Sequence, residues 1–497
     1  MELFGEPLAF TAAFFLLLAL GLALSFEFVN GFHDTANAVA TVIYTNTLKP
    51  VVAVVWSGCW NLLGVLWSSG LVAYSIVALL PVELVLHSGS GAGFAMIFAL
   101  LVSAIIWNLG TWYLGLPASS SHTLIGSIMG VGVANSMMAG QGWAAGINWP
   151  KAQEIFTYLI ISPIFGFVGA GLLLLILKAV IPRKDLFQAP PDKETPPPVW
   201  IRCVLVVTCT LVSFFHGSND GQKGMGLIML ILVGIVPGAF ALNMSTDAST
   251  SQRIVTELRQ VVTSLQSKAG SATMSREDAV KELSAYVPPT GPKASDRTFA
   301  AVVADSQFVA DQLTKTPDIS QVPRDQRTSL RTDVYLIDET LGKLTKNKLI
   351  SDAPTVASLK KARKDLDGLT KYIPIWVKVL VALALGCGTM IGWKRIVVTV
   401  GEKIGKAHLT YAQGASAEIM AAATIGVADY GGMPVSTTHV LSSGIAGTMA
   451  ANRSGLQTST LINIVLAWVL TLPACVFLGA TLFAAGIYVT LHVFGIR

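Results

Sequence analysis

Two short stretches of the chain set an aspartate among glycine, amide and histidine or lysine side chains within apolar surroundings. They are Gly31-Phe32-His33-Asp34-Thr35-Ala36-Asn37-Ala38 and Gly217-Ser218-Asn219-Asp220-Gly221-Gln222-Lys223-Gly224. An ionisable residue inside a membrane run is costly and marks a functional position. A lone Asp near a helix end is more often a cap, but recurrence of the motif favours a site. The polar and helix-breaking neighbours predict a discontinuous helix at each Asp, with backbone groups left free near mid-membrane. Two further stretches place three consecutive hydroxyls behind a proline: Pro117 before Ser119, Ser120 and Ser121, and Pro434 before Ser436, Thr437 and Thr438. Such a pattern is an ordinary N-cap. A helix N-terminus is also an anion site, because its first N–H groups are unpaired and its dipole end is positive. The apolar stretches that follow, 124–138 and 440–451, are too brief for an easy crossing and predict re-entrant hairpins meeting at the midplane.

Many donors and two carboxylates in one place select the cargo. Phosphate near neutral pH keeps one or two protons, so a carboxylate can accept a hydrogen bond from it; sulfate has none to give. Other ionisable positions are weaker. Glu27 lies one to two turns before Asp34 and is a candidate for a cation-coupling path, as is Glu418; each can instead cap a helix or pair with lysine. His122 and His439 hold equivalent places after the hydroxyls, where N–H donation within the hairpin is favoured over metal binding. The five cysteines sit singly in apolar runs, so neither a disulfide nor a metal site is expected.

The elements that must position these residues follow from composition. Of 497 residues 53% are hydrophobic and 13% charged, with mean hydropathy +0.62, about half the charge of a soluble domain. Runs of roughly 20 apolar residues recur, which makes an all-α integral membrane protein of about 10–12 membrane helices. The first run has no preceding Lys or Arg and reads as a retained helix. Residues 244–372 hold 35 of the 63 charged residues, mixed in sign, and read as a water-exposed helical insert. The net charge of +5 reflects this insert and short basic connections, not a nucleic-acid surface.

The paired motifs occur in the same order. Asp34 lies 85 positions before Ser119 and Asp220 lies 216 before Ser436; the excess nearly equals the insert. This predicts two inverted-topology repeats, each with a broken helix and a re-entrant hairpin. The expected organisation is a first repeat (1–181), a cytoplasmic linker (182–198), the start of the second repeat (199–243), a cytoplasmic insert (244–372) and the rest of the second repeat (373–497). Counting 201–215 and 224–242 as two crossings puts linker and insert on one face, with both termini periplasmic or extracellular.

With these motifs on view, the chain resembles the Pit inorganic phosphate transporters, most closely the bacterial low-affinity, proton-coupled type, from about Phe26 to Ile487. The resemblance implies a bacterial inner-membrane symporter of phosphate with a cation, not an enzyme and without a resident cofactor. It implies that Asp34, Asp220 and the six hydroxyls surround substrate or coupling ion, joined by Asn37, Asn219 and Lys223. It further implies carriage of phosphate as a neutral complex with a divalent metal, and a homodimer. The family's wider pattern has Asn where this chain has His33 and Lys223. Amide oxygens suit Na⁺ and His titrates near neutrality, so proton coupling through His33 and Asp34 is expected. The alternatives are a sodium-coupled phosphate or sulfate symporter of the same fold, and an anion channel.

Overall fold

Apolar runs fold as helices because in lipid every backbone N–H and C=O must be satisfied within the segment. The computed structural model describes residues 2–34, 36–80, 91–191, 195–270, 274–288 and 291–492. The first half is built from α1 (Phe10–Asp34), α2 (Ala36–Tyr44), α3 (Pro50–Trp67), α4 (Leu71–Val77), α5 (Gly91–Tyr113), α6 (Ser120–Met138) and α7 (Trp149–Val180). Next comes α8 (Val199–Ile235), and then the insert with α9 (Ala248–Ala269), α10 (Arg276–Tyr286), α11 (Asp296–Lys315), α12 (Arg324–Lys346) and α13 (Ala353–Thr370). The chain ends with α14 (Ile375–Thr389), α15 (Lys394–Glu402), α16 (Tyr411–Tyr430), α17 (Thr437–Ala451) and α18 (Thr458–His492).

Among the described residues six segments are long and apolar enough to cross a bilayer: Phe10–Tyr44, Pro50–Trp67, Gly91–Tyr113, Trp149–Val180, Val199–Ile235 and Thr458–Thr490. That is fewer than the ten to twelve expected. The remaining apolar runs form shorter helices rich in Gly, Ala and Ser, such as α6, α16 and α17, which are buried along most of their length.

Two expectations are corrected here. The second aspartate motif does not break its helix: α8 is continuous for 37 residues. The dip in hydropathy at 216–223 mimics a turn, yet the polar side chains there pair with one another and the backbone stays helical. A single candidate span, Val199–Ile235, thus stands where two crossings were expected. The second correction concerns the N-terminus, expected on the face away from the insert. Glu2–Leu3 and Glu6–Pro7 pair as a small hairpin, which docks on the insert. The Arg324 guanidinium donates to Gly5 O, and Phe4 meets Phe240 edge-on at 5.0 Å.

The chain divides into two compact units. One, made of Met1–Leu16, Pro81–Gly93 and Met229–Tyr372, contains the insert. Ile254, Leu258, Val261 and Leu265 recur every three to four residues on α9, so they form one buried stripe. They share a core with Val302 and Val309, Val334 and Ile337, and Leu359 and Leu366 from the other helices. Charged groups are buried in this bundle too. Asp338 accepts from Arg363 at 2.8 Å and Lys371 at 2.9 Å. Burial alone would raise its carboxyl, but Lys371 and Arg363 outweigh that and hold it below its ordinary value.

Asp305 is the opposite case. Among the described residues its carboxylate oxygens have no hydrogen-bond partner, and burial, with Asp333 nearby, pushes its carboxyl up to about 8. The folded state thus keeps a proton that the unfolded chain has released, so Asp305 costs stability as pH rises from about 4 to about 8, by ~1.4 kcal/mol per pH unit. Asp305→Asn is expected to flatten that decline. Thermal unfolding of the wild type and the variant across this range measures it; parallel curves would refute the assignment.

The other unit, Leu17–Leu80, Phe94–Ile228 and Ile373–Arg497, holds the motifs. Its helices approach closely where side chains are absent. A Cβ on Gly217 would sit 2.1 Å from Asn61 O, and one on Gly64 would sit 2.0 Å from Phe214 O. Backbones of α3 and α8 therefore touch, which is how membrane helices gain packing without a hydrophobic driving force.

Candidate substrate site

Asp34, the last residue of α1, is the hub. Its Oδ2 accepts from Ser120 Oγ at 2.5 Å and its Oδ1 from Thr438 Oγ1 at 2.8 Å. Those donors stand at the first turns of α6 and α17, so the two hydroxyl motifs converge on one carboxylate. Ser120 Oγ also lies 3.3 Å from Asp220 Oδ2. Asp220 pairs with Lys223 Nζ at 2.7 Å through Oδ2, while its Oδ1 has no partner. All of these side chains are buried. Lys223, one of the largest fully buried side chains, is tolerable there because Asp220 compensates its charge.

Not every hydroxyl faces the carboxylates. Ser119 and Ser436 are N-caps, accepting from His122 N at 3.3 Å and His439 N at 3.1 Å. Ser121 donates to Val435 O at 2.7 Å, tying the first motif to the second. Thr437 Oγ1 is buried without a partner. Asn219 was expected on substrate, but its amide clamps the loop before α17: Nδ2 donates to Met433 O at 3.1 Å, and Oδ1 accepts from Val435 N at 3.4 Å. The side chain of Asn37 lies outside the described residues.

His33 Nδ1 is 2.8 Å from Asp34 Oδ1, and Nε2 is 3.1 Å from Thr111 Oγ1. Thr111 has carbonyl acceptors in its own helix, Trp107 O at 3.0 Å and Asn108 O at 3.2 Å. If its hydroxyl proton goes to either, His33 Nε2 must donate to Thr111. The ring of His33 therefore bridges Asp34 and Thr111 of α5.

Two groups at the site went unread in the sequence. His216 lies four residues before Asp220, on the same face of the unbroken α8, with Nε2 3.6 Å from Asp220 Oδ2. Its tautomer follows from its neighbours. Thr389 donates to Leu385 O, so it accepts from Asn61 Nδ2 at 3.0 Å. Asn61 Oδ1 then faces His216 Nδ1 at 2.9 Å and takes its proton. Nε2 is thus the ring nitrogen turned toward Asp220. Asp34, His216 and Asp220 each offer one ligand atom, all within 4.8 Å of one another. Asp429, the second, accepts from Ser218 at 2.6 Å and Gln222 at 2.7 Å, fixing α16 to α8.

The peripheral candidates separate. Glu27 packs on Gly224, where a Cβ would lie 2.3 Å from its Cγ. Glu418 is taken up elsewhere, by hydrogen bonds from Thr41 and Thr208. The His122 and His439 rings lie 4.6 Å apart, and His439 stacks on Trp468 at 4.0 Å. Trp468 Nε1 donates to Pro117 O at 2.9 Å, another tie between the halves.

The model of the phosphate transporter family fits residues 30–479. The chain belongs to that family. It is 43% identical over 487 residues to the low-affinity inorganic phosphate transporter PitA of Escherichia coli (strain K12), covering 94% of this chain and 96% of that one. It is 30% identical over 459 residues to a probable low-affinity inorganic phosphate transporter of Bacillus subtilis (strain 168), with 92% and 93% covered. Among solved structures, a sodium-dependent phosphate transporter aligns with TM-score 0.52 over 95% of this chain and 98% of its own, at 18% identity, a likeness of fold. The transporter is thus a multi-pass membrane protein and not an enzyme.

Proposed function

We propose that the transporter is a symporter importing inorganic phosphate across the bacterial inner membrane with a proton, as a complex with a divalent cation. The observation that carries this is Asp34 held by Ser120 and Thr438, beside Asp220, Lys223 and His216. Two carboxylates and one ammonium leave the cluster short of positive charge, so bare dianionic phosphate is disfavoured. A divalent cation or extra protons would correct this. The Asp34, His216 and Asp220 atoms, one a histidine nitrogen, suit such a cation travelling as part of the cargo. Phosphate oxygens would complete its shell, with the hydroxyls and N–H groups of α6 and α17 as donors.

An inverted-repeat build is supported by element order. The segment α1–α2 corresponds to α8, α3 to α14, α5 to α16, α6 to α17 and α7 to α18, the last pair carrying internal Pro163 and Pro473. One crossing by α8 gives the second copy the opposite sense, and α6 and α17 are the counterparts of re-entrant hairpins. Closure of the site on all sides fits an occluded stage of alternating access.

Proteoliposomes loaded with imposed pH or Na⁺ gradients test the reading with labelled phosphate and sulfate. An inward proton gradient is expected to drive saturable phosphate accumulation that weakens when divalent cations are chelated, and His33→Asn to lose the gradient dependence. Accumulation driven by Na⁺ alone would replace the proton with sodium. Uptake without accumulation would make the protein a channel, and equal uptake after chelation would remove the metal from the cargo.

Sidedness follows from short connections, whose basic residues mark the cytoplasmic face. Asn46 donates to Thr195 O, Lys178 to Asn452, and Gly405 pairs with Leu456. The turns holding Lys49, Arg183, Lys184, Lys403, Lys406 and Arg453 thus share the linker's face. Segment 1–9 has no Lys or Arg. On this reading the linker face is cytoplasmic, and a single crossing by α8 would carry the chain outside before the insert begins. A membrane-impermeant maleimide on intact cells is expected to label Lys360→Cys in the insert and spare Lys184→Cys, in a background free of native cysteines. The reverse labelling would invert the assignment.

A further inference from the structure

We infer that a groove at the end of α5 binds the phosphodiester headgroup of an anionic phospholipid. It is a cavity of about 650 Å³ whose walls include Trp112, Tyr113, Trp393, Lys394, Arg395 and Lys403. Among the described residues no acidic side chain lines it, and Glu402, next in sequence to Lys403, is engaged by Tyr44.

The cationic side is built. The Arg395 guanidinium donates to Tyr113 O at 2.8 Å and lies 5.2 Å over the Trp112 ring and 4.9 Å over the Tyr113 ring. One of five N–H donors is thereby used, and the plane is fixed with the others free for a phosphate. The walls are held as well. Trp112 Nε1 donates to Gly392 O at 2.7 Å, and Thr399 Oγ1 to Gly115 O at 2.8 Å. Ile396, Val397 and Val400 bury the inner face of α15, leaving Lys394, Arg395 and Lys403 exposed.

The surroundings choose between a lipid and a free phosphate ion. The groove lies where α5, a membrane-crossing helix, ends. Tyr113, Leu114 and Ile391 beside the cations are 65%, 69% and 56% exposed. A dissolved ion has no use for that apolar rim, whereas an amphiphile satisfies rim and cations together. Basic clusters flanked by interfacial Trp and Tyr at a helix end have this recognition chemistry.

The test compares the purified full-length transporter in nanodiscs of phosphatidylcholine with and without phosphatidylglycerol. Phosphatidylglycerol is expected to raise the unfolding temperature by about 3 °C and to be retained through native mass spectrometry. The triple variant Lys394→Gln, Arg395→Gln, Lys403→Gln is expected to match the wild type in pure phosphatidylcholine and to gain nothing from phosphatidylglycerol; Arg395→Lys should keep part of the gain. Equal stability in both lipids, or a gain retained by the triple variant, overturns the proposal. So does inorganic phosphate that protects equally and displaces the lipid, which would give the groove to the substrate. A triple variant unfolded in phosphatidylcholine would also overturn it, by making these residues part of the fold.

Discussion

Asp34→Asn is expected to lower phosphate uptake by about 100-fold or more, with the protein still folded. The carboxylate accepts from Ser120, Thr438 and His33 on two oxygens, and hydrogen bonds to a charged group contribute about 1.5–3 kcal/mol each. An amide keeps the shape but turns an NH₂ toward one of those donors. The hydroxyls can rotate away; the His33 ring cannot. Losing one such bond and weakening a second removes roughly 3 kcal/mol, which corresponds to the stated factor. Initial rates of labelled phosphate uptake, normalised to folded protein by size-exclusion chromatography, give the answer. Uptake within about three-fold of wild type would take Asp34 out of the site.

Lys223→Met is expected to show the largest stability effect. Removing one partner of a buried pair leaves an uncompensated charge, a loss of ~3–5 kcal/mol. Here the orphan is Asp220, at 2.7 Å from the lost ammonium, with Glu27 packed on the next residue, Gly224. Adding Asp220→Asn to Lys223→Met should restore folding, since no charge remains to be stranded, while leaving transport lost. Unfolding temperatures of the two variants beside wild type, read together with uptake, separate the contributions. A single variant as stable as wild type would mean that Lys223 compensates nothing.

The types of side chain at the site were legible; their directions were not. Successive helical residues point about 100° apart, so three hydroxyls in a row cannot serve one ligand. That is why Ser119 caps, Ser120 meets Asp34 and Ser121 turns to Val435, although all three look alike in sequence. His216 had a readable signal, four residues before Asp220 and thus on the same helix face. Expecting a break at Asp220 hid it. The same expectation counted α8 as two crossings. Glu418 was indistinguishable from a site residue by type, and only the fold delivers it to Thr41 and Thr208. The charged stretch, by contrast, stood out in the sequence, because a segment with over half the chain's ionisable groups needs water.

The hairpin at the N-terminus bears on the order of assembly. Gly5 is made well before its partner Arg324, which follows 319 positions later. At about 5–20 residues per second, the nascent chain carries an undocked leading end for roughly 16–64 s. That end emerges long before the surface that receives it. During this interval α1 has no fixed anchor at its start, and docking becomes a late checkpoint that only a chain with a completed insert can pass.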